Sequence, residues 1–400
     1  MSSVVGCSVH ECHEGLLIEI VQYSFTLCPC FGGFASPHVG IVHLGCSPYT
    51  MDEGVPMSDP RIAVLGSGAN GSSVGADLHR AGLDVTLVEQ WPAHVEAMRA
   101  DGLRILMPHE ELHVRPRVMH LCEVATLKHE FDIVLMLMKA YDSAWAAQLI
   151  APYLAADGIL AGVQNGMSTR AIEDVVGSER TMGTVIEISS TMTDPGIVHR
   201  HVGHNESWFA VGALPGGPTG REEEVARLLR YSGHVQIVDQ IEATKWMKLV
   251  SNASVLVPTA ILGLPMADAI TVDGMREVMI AAGREALAVG QALGHPVLPI
   301  FGLSAADLAR PEEVVERLLD VLYTGFVRPG ATTTVLQDWT KSRHSEVDDI
   351  NGTVTTEGAR LGVPTPVNQA IVTIAHRIER DELSPAADNL ALLTAAVRAA

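Results

Sequence analysis

A chain of 400 residues that is 47% apolar exceeds what one hydrophobic core usually needs, and 18% charged with only 4% aromatic residues suits helices packed closely on a parallel sheet. The 27 basic and 47 acidic residues give a formal charge of −20, a field that repels phosphate backbones and anionic lipid, so neither nucleic acid nor a membrane surface is an expected partner. No run reaches the roughly 18–20 apolar residues that span a bilayer, since Ile133–Met138 stops at Lys139.

Residues 1–56 are expected to be a poorly ordered extension. They hold Cys7, Cys12, Cys28, Cys30 and Cys46, leaving only Cys122 for the rest of the chain. His10, Cys12, His13, Cys28 and Cys30 contain no CxxC pair and match no common zinc spacing, so no metal is expected. No Lys or Arg precedes Arg61, which removes the positive start of a secretory signal and implies a cytoplasmic location. Met57, just before the first strand, reads as an alternative start.

From Arg61 short apolar runs alternate with helical stretches, the pattern of successive βα units. Strands are predicted at Ile62–Leu65, Val85–Val88, Ile133–Met138, Ile159–Val163, Met182–Ile188, Trp208–Val211 and Val235–Val238, with helices at Ser72–Arg80 and Arg221–Tyr231. Long helical patterns then take over at Ile241–Val257, Asp273–Leu293, Pro311–Tyr323, Leu336–Leu361 and Pro366–Arg380. The expected architecture is an α/β Rossmann-type domain over 57–239 and an all-α domain over 240–400. The apolar stretches Val255–Pro265 and Val278–Ala292 are either a homodimer interface or core.

Gly66-Ser67-Gly68-Ala69-Asn70-Gly71 is a GxGxxG between a predicted strand and a predicted helix. The first glycine permits the turn, the second admits the pyrophosphate to backbone, and the third lets helix and strand approach. Glu89 lies 23 positions after Gly66, near the offset at which a carboxylate meets the adenosine ribose. Its charge, with the neutral Gln90 beside it, favours NAD(H); NADP(H) stays open because Arg99 or Arg104 could reach the same place.

Lys248 and Asn252 stand four apart, on one helix face. An ammonium there can donate to a substrate carbonyl and stabilise the alkoxide formed as hydride arrives. The order GSGANG, Met138-Lys139-Ala140, Gln164-Asn165-Gly166-Met167, Trp246 to Asn252, then Arg343 to Gly352 resembles the ketopantoate reductase family from about Arg61 to about Arg380. The resemblance implies Lys248 as catalytic lysine and proton donor, Asn252 as its substrate-orienting neighbour, and Glu346 as the carboxylate bonded to the new hydroxyl. It also implies Asn165 at the cleft floor near the nicotinamide, Lys139 against the cofactor, and Thr334 on the substrate carboxylate.

Two positions depart from the family pattern. Leu256 replaces a second asparagine, and Gln90 stands where NADPH-using members carry arginine. The expected activity is hydride transfer between a nicotinamide cofactor and a 2-oxo or 2-hydroxy acid, either 2-dehydropantoate to pantoate or a related substrate. An NAD-dependent D-2-hydroxyacid dehydrogenase with a more apolar substrate is the alternative. A 3-hydroxyacid dehydrogenase shares the Lys/Asn pair but lacks the Glu346 segment, and a non-catalytic dinucleotide sensor would not need Lys248.

Overall fold

The computed structural model describes residues 4–12, 15–23, 60–304 and 306–399. Within the first 56 residues, β1 (Val4–Cys12) and β2 (Gly15–Tyr23) pair antiparallel. Residues 24–56 lie outside the described residues.

The second unit begins with β3 (Ile62–Leu65), α1 (Ala69–Arg80), β4 (Val85–Glu89), α2 (Pro92–Asp101), β5 (Leu103–Leu106), β6 (Glu111–Val114) and β7 (Arg117–His120). There follow β8 (Phe131–Met136), α3 (Ser143–Ile150), β9 (Leu154–Gly162), α4 (Thr169–Val176), β10 (Thr181–Glu187), β11 (Ser190–Thr191), β12 (Ile197–Arg200), β13 (Trp208–Ala213), α5 (Glu222–Leu229) and β14 (His234–Ile237).

Eight of these strands form one sheet in the order β14-β13-β10-β9-β8-β3-β4-β7, parallel except where β13 meets β10 antiparallel. The strand period of two sends alternate residues to opposite faces. Ile62 and Val64 join one buried cluster while Ala63 and Leu65 join another, and Ile133 and Leu135 alternate likewise with Val134 and Met136. The second cluster packs under α3 and α4 through Ala146, Ala147, Ile150, Ile172 and Val176. Over the opposite face, α1 separates the main sheet from a small sheet ordered β11-β12-β5-β6. Those four short strands and β7 were not predicted; their four residues or fewer give too short an alternation to stand out.

Chain order reverses between β3 and its neighbours β4 and β8, which opens a crevice beyond the carboxyl ends of the parallel strands. The glycine loop, Lys139 and Asn165 follow those ends, and Glu89 and Glu187 are the last residues of β4 and β10.

The helical region comprises α6 (Ile241–Ile261), α7 (Met266–Ala269), α8 (Met275–Ala292), α9 (Val314–Gly325), α10 (Thr334–Thr340), α11 (Thr353–Leu361), α12 (Pro366–Glu379) and α13 (Leu390–Ala399). The predicted end of α6 at Val257 is corrected: the helix runs through Pro258. The single helix expected over Leu336–Leu361 is broken as well. After α10 the chain turns at Ser342, with φ of 51°, and re-enters helix through a π-turn over Asp348–Gly352. Val347 and Ile350 anchor that break in the core, so burial there overrides helical periodicity.

Most of the apolar residues in the two stretches weighed as a dimer interface are inside this core, among them Val255, Val257, Ile261, Val278 and Met279. They therefore serve the core. The axes of α6 and α8 approach closely because α8 offers no side chain at two points. A Cβ on Gly290 would lie 2.2 Å from Cδ1 of Trp246, and one on Gly283 2.3 Å from Oγ of Ser254. No helix among the described residues is long and apolar enough to cross a membrane.

Candidate active site

The glycine loop joins β3 to α1 as its sequence requires. Gly66 adopts φ of +93°, and a Cβ on Gly71 would fall 2.0 Å from the carbonyl oxygen of Gly66. A Cβ on Gly68 would meet nothing within 4 Å, so the loop faces open space there. Gly66, Gly68, Ala69 and Asn70 line a cavity together with Glu89, Lys139 and Asn165, while Ser67 and Gly71 are buried behind it. The Oδ1 of Asn70 is buried with no hydrogen-bond partner among the described residues. A glycine cradle, the amino end of α1 and that unpartnered oxygen fit a dinucleotide.

Glu89 is turned inward. It accepts the backbone N–H of Trp91 at 2.8 Å, and burial raises its carboxyl above the ordinary range against the pull of backbone N–H groups from Trp91, Gln90 and Ser67. The cation absent at Gln90 is supplied from elsewhere: Lys341 and Arg343 line the same cavity, and the Arg343 guanidinium lies 5.7 Å from the Trp91 ring centroid. The two arginines considered from sequence are engaged instead, Arg99 with Glu96 and Glu123, Arg104 with Glu111.

Lys139 bridges the two domains. Its Nζ donates to Asp338 at 2.5 Å and to Glu346 at 3.4 Å, while the backbone N–H of Ala140 donates to the other Glu346 oxygen at 3.0 Å. Burial opposes the Lys139 charge, but the carboxylates of Glu346 and Asp338 outweigh it and hold the ammonium protonated well above the usual lysine range. Glu346 thus lies on the cofactor-side cavity and not on the one that Lys248 lines. The break after α10 carries Glu346 toward the end of β8, where these contacts are made.

A second cavity holds Lys248, Asn252, Asn165 and Thr334, and it shares Asn70, Asn165, Thr334 and Gln337 with the first. Lys248 and Asn252 share one helix face and line the cavity, while Trp246, Met247 and Leu249 belong to the apolar core. Asn252 Nδ2 donates to Asn165 Oδ1 at 3.1 Å, joining α6 to the loop after β9. Thr334 Oγ1 is buried with no partner among the described residues, so its hydrogen-bonding capacity is unused within the protein.

Four contributors were missed. Glu187 accepts a hydrogen bond from Lys248; a carboxylate at the end of an apolar strand was the available signal. Asp338 sits in a segment read only as helix. Arg343 belongs to a sequence motif whose spacing assigns it no role of its own. Lys245 is fully buried and donates to the carbonyls of Gln164 at 3.1 Å and Thr184 at 2.9 Å, and burial pushes its ammonium down to about 8. By holding Gln164 it fixes the backbone next to Asn165.

Comparison with known proteins agrees with this architecture. Residues 62–215 match the family model "Ketopantoate reductase PanE/ApbA", and residues 240–379 match "Ketopantoate reductase PanE/ApbA C terminal". A 2-dehydropantoate 2-reductase of Archaeoglobus fulgidus is 27% identical over 325 residues, covering 80% of this chain and 98% of that protein. One from Mesorhizobium japonicum is 26% identical over 341 residues, covering 80% and 97%. Among solved structures, a PanE/ApbA family ketopantoate reductase from Ralstonia eutropha aligns with a TM-score of 0.67 and 25% identity, over 80% of this chain and 99% of that one. A D-mandelate dehydrogenase solved with NADH and anilino(oxo)acetate shares the fold, with a TM-score of 0.69 at 21% identity over 80% and 98%. With both domain models matched in order over most of its length, this chain belongs to the ketopantoate reductase family.

Proposed function

We propose that this protein is a nicotinamide-dependent reductase of 2-oxo acids, acting on 2-dehydropantoate or a related substrate. The observation that carries this is the wall shared by the two cavities, which sets the Lys248 site against the glycine-loop site at Asn165 and Thr334. The nicotinamide, when bound, supplies the hydride. Lys248 gives a proton to the substrate oxygen or stabilises the developing alkoxide, and Asn252, held by Asn165, orients that oxygen. Thr334 holds the carboxylate. Lys139 and Glu346 serve the cofactor side.

Leu256 lines the substrate-side cavity with other apolar groups, which favours a substrate less polar than ketopantoate and thus a D-2-hydroxyacid dehydrogenase activity. Glu89 in the cofactor-side cavity favours NAD(H), with NADP(H) admitted by Lys341 and Arg343. The D-mandelate dehydrogenase that shares the fold was solved with NADH, which supports the same direction. A cytoplasmic location goes with this reading.

The test follows loss of absorbance by NADH and by NADPH with ketopantoate and with bulkier apolar 2-oxo acids. Oxidation with any of these, abolished in Lys248→Ala while cofactor binding persists, supports the reductase. Cofactor binding with no turnover of any 2-oxo acid by the unmodified protein points instead to a dinucleotide sensor.

A further inference from the structure

We infer that Glu187 confines the substrate-side cavity to 2-oxo acids that carry a single carboxylate, so that this residue sets the substrate class. The inference rests on the proposed reading of that cavity as a 2-oxo acid site.

Glu187 ends β10 and pairs with Lys248 where both are largely shielded, their side chains 16% and 9% exposed. The Phe301 ring centroid lies 4.8 Å from Lys248 Nζ and closes one side of the pair. Among the described residues lining this cavity, Lys248 is the one lysine or arginine and Glu187 the one acid. The lining is therefore formally neutral, and its cation is already matched by an anion.

One substrate carboxylate can be accommodated there. Neutral donors at Asn165, Ser251, Asn252 and Thr334 surround the site, and Lys248 lies within the same lining. A second carboxylate has no cation left to meet. It would be desolvated in the field of Glu187, and buried like charges repel strongly where water cannot screen them. The rest of the wall offers it no charge of opposite sign: it is apolar at Val255, Leu256, Met266, Leu322, Phe326 and Val327, and its remaining polar groups, such as Ser190 and Gln337, are neutral. Charge and shape agree on a monocarboxylic acid with an apolar substituent.

The experiment measures binding of 2-oxopentanoate and of 2-oxoglutarate, two acids of equal carbon number, to the full chain saturated with oxidised nicotinamide dinucleotide, by calorimetry, with turnover of each acid followed in a separate assay that supplies the reduced dinucleotide. The unmodified protein should bind the monoacid at least about tenfold more tightly, the scale of one unfavourable charge contact. Glu187→Gln should narrow that ratio by about tenfold or more, with the change in KM for the diacid, and Glu187→Asp should retain it. Equal affinity of the unmodified protein for both acids overturns the inference without recourse to any variant, as does a ratio unaltered in a folded Glu187→Gln protein. Binding with the expected ratio but no turnover removes the reductase reading and leaves the inference standing. Turnover with an unaltered ratio does the reverse, and failure to bind either acid removes both.

Discussion

The backbone N–H of Gly196 donates to Nδ1 of His94 at 2.8 Å, and this decides which form of the imidazole the fold can use. With Nδ1 an acceptor, the ring proton belongs to Nε2, which lies 3.1 Å from the carbonyl oxygen of Ser67 and 3.1 Å from the Ser72 hydroxyl. His94 thereby ties the small sheet to the glycine loop, and only in its neutral form. Burial lowers its pKa from the ordinary value to about 4, although the Ser67 carbonyl pulls upward.

The first prediction concerns pH. Between about 6.5 and 4 the unfolded chain binds a proton at His94 that the folded chain refuses, so stability rises with pH across that window and is lost as pH falls through it. From pH 7 to pH 5 the expected loss is about 2 kcal/mol from this residue. Urea unfolding at the two pH values should show that difference, and His94→Asn, whose amide oxygen can still accept from Gly196, should flatten it. An equal slope in the variant would assign the acid sensitivity to other groups.

Lys139 provides a second test, because it is the shared partner of two buried carboxylates. Removing one member of a buried ionic cluster strands the others, at a cost of roughly 3 kcal/mol. Lys139→Ala should lower the melting temperature and weaken cofactor binding together. Adding Asp338→Asn and Glu346→Gln should recover much of the melting temperature without restoring the cofactor. If the triple variant is no more stable than the single one, lost packing and not stranded charge explains the defect.

Leu256 tests substrate choice. It lines the cavity on the face of α6 that carries Lys248 and Asn252, so Leu256→Asn would place an amide one turn beyond Asn252. The ratio of kcat/KM for hydroxyl-bearing ketopantoate over an unsubstituted apolar 2-oxo acid should rise by about tenfold, the usual effect of one added polar contact. A ratio that stays put would mean that the wall at Leu256 does not meet the substrate's distal group.

Much of this was written in local patterns. The parallel strands announce themselves as short Val/Ile/Leu runs because they are buried on both faces, and the glycine loop is recognised because three spacings in it answer to three steric demands. Lys248 and Asn252 were legible as a pair because one helical turn separates them. What escaped notice depends on residues far apart in sequence. Glu187 meets Lys248 across 61 positions and Lys139 meets Asp338 across 199, and no periodicity records either encounter. The break that aims Glu346 was hidden for another reason: Leu336–Leu361 keeps helical spacing, while the choice to interrupt it is made by the burial of Val347 and Ile350.

The bare seam between α6 and α8 also bears on how this protein can change over generations. Alanine is the better helix former by up to about 1 kcal/mol per position, so on helical preference alone drift should replace Gly283 and Gly290. Any such replacement would wedge against Ser254 or Trp246 and shift the helix on which Lys248 is mounted. The lineage is free to retailor the cavity at Leu256 or Glu187 and so acquire new substrates. It is far less free at the back of α6, where two side chains missing from α8 keep the reactive amine in register.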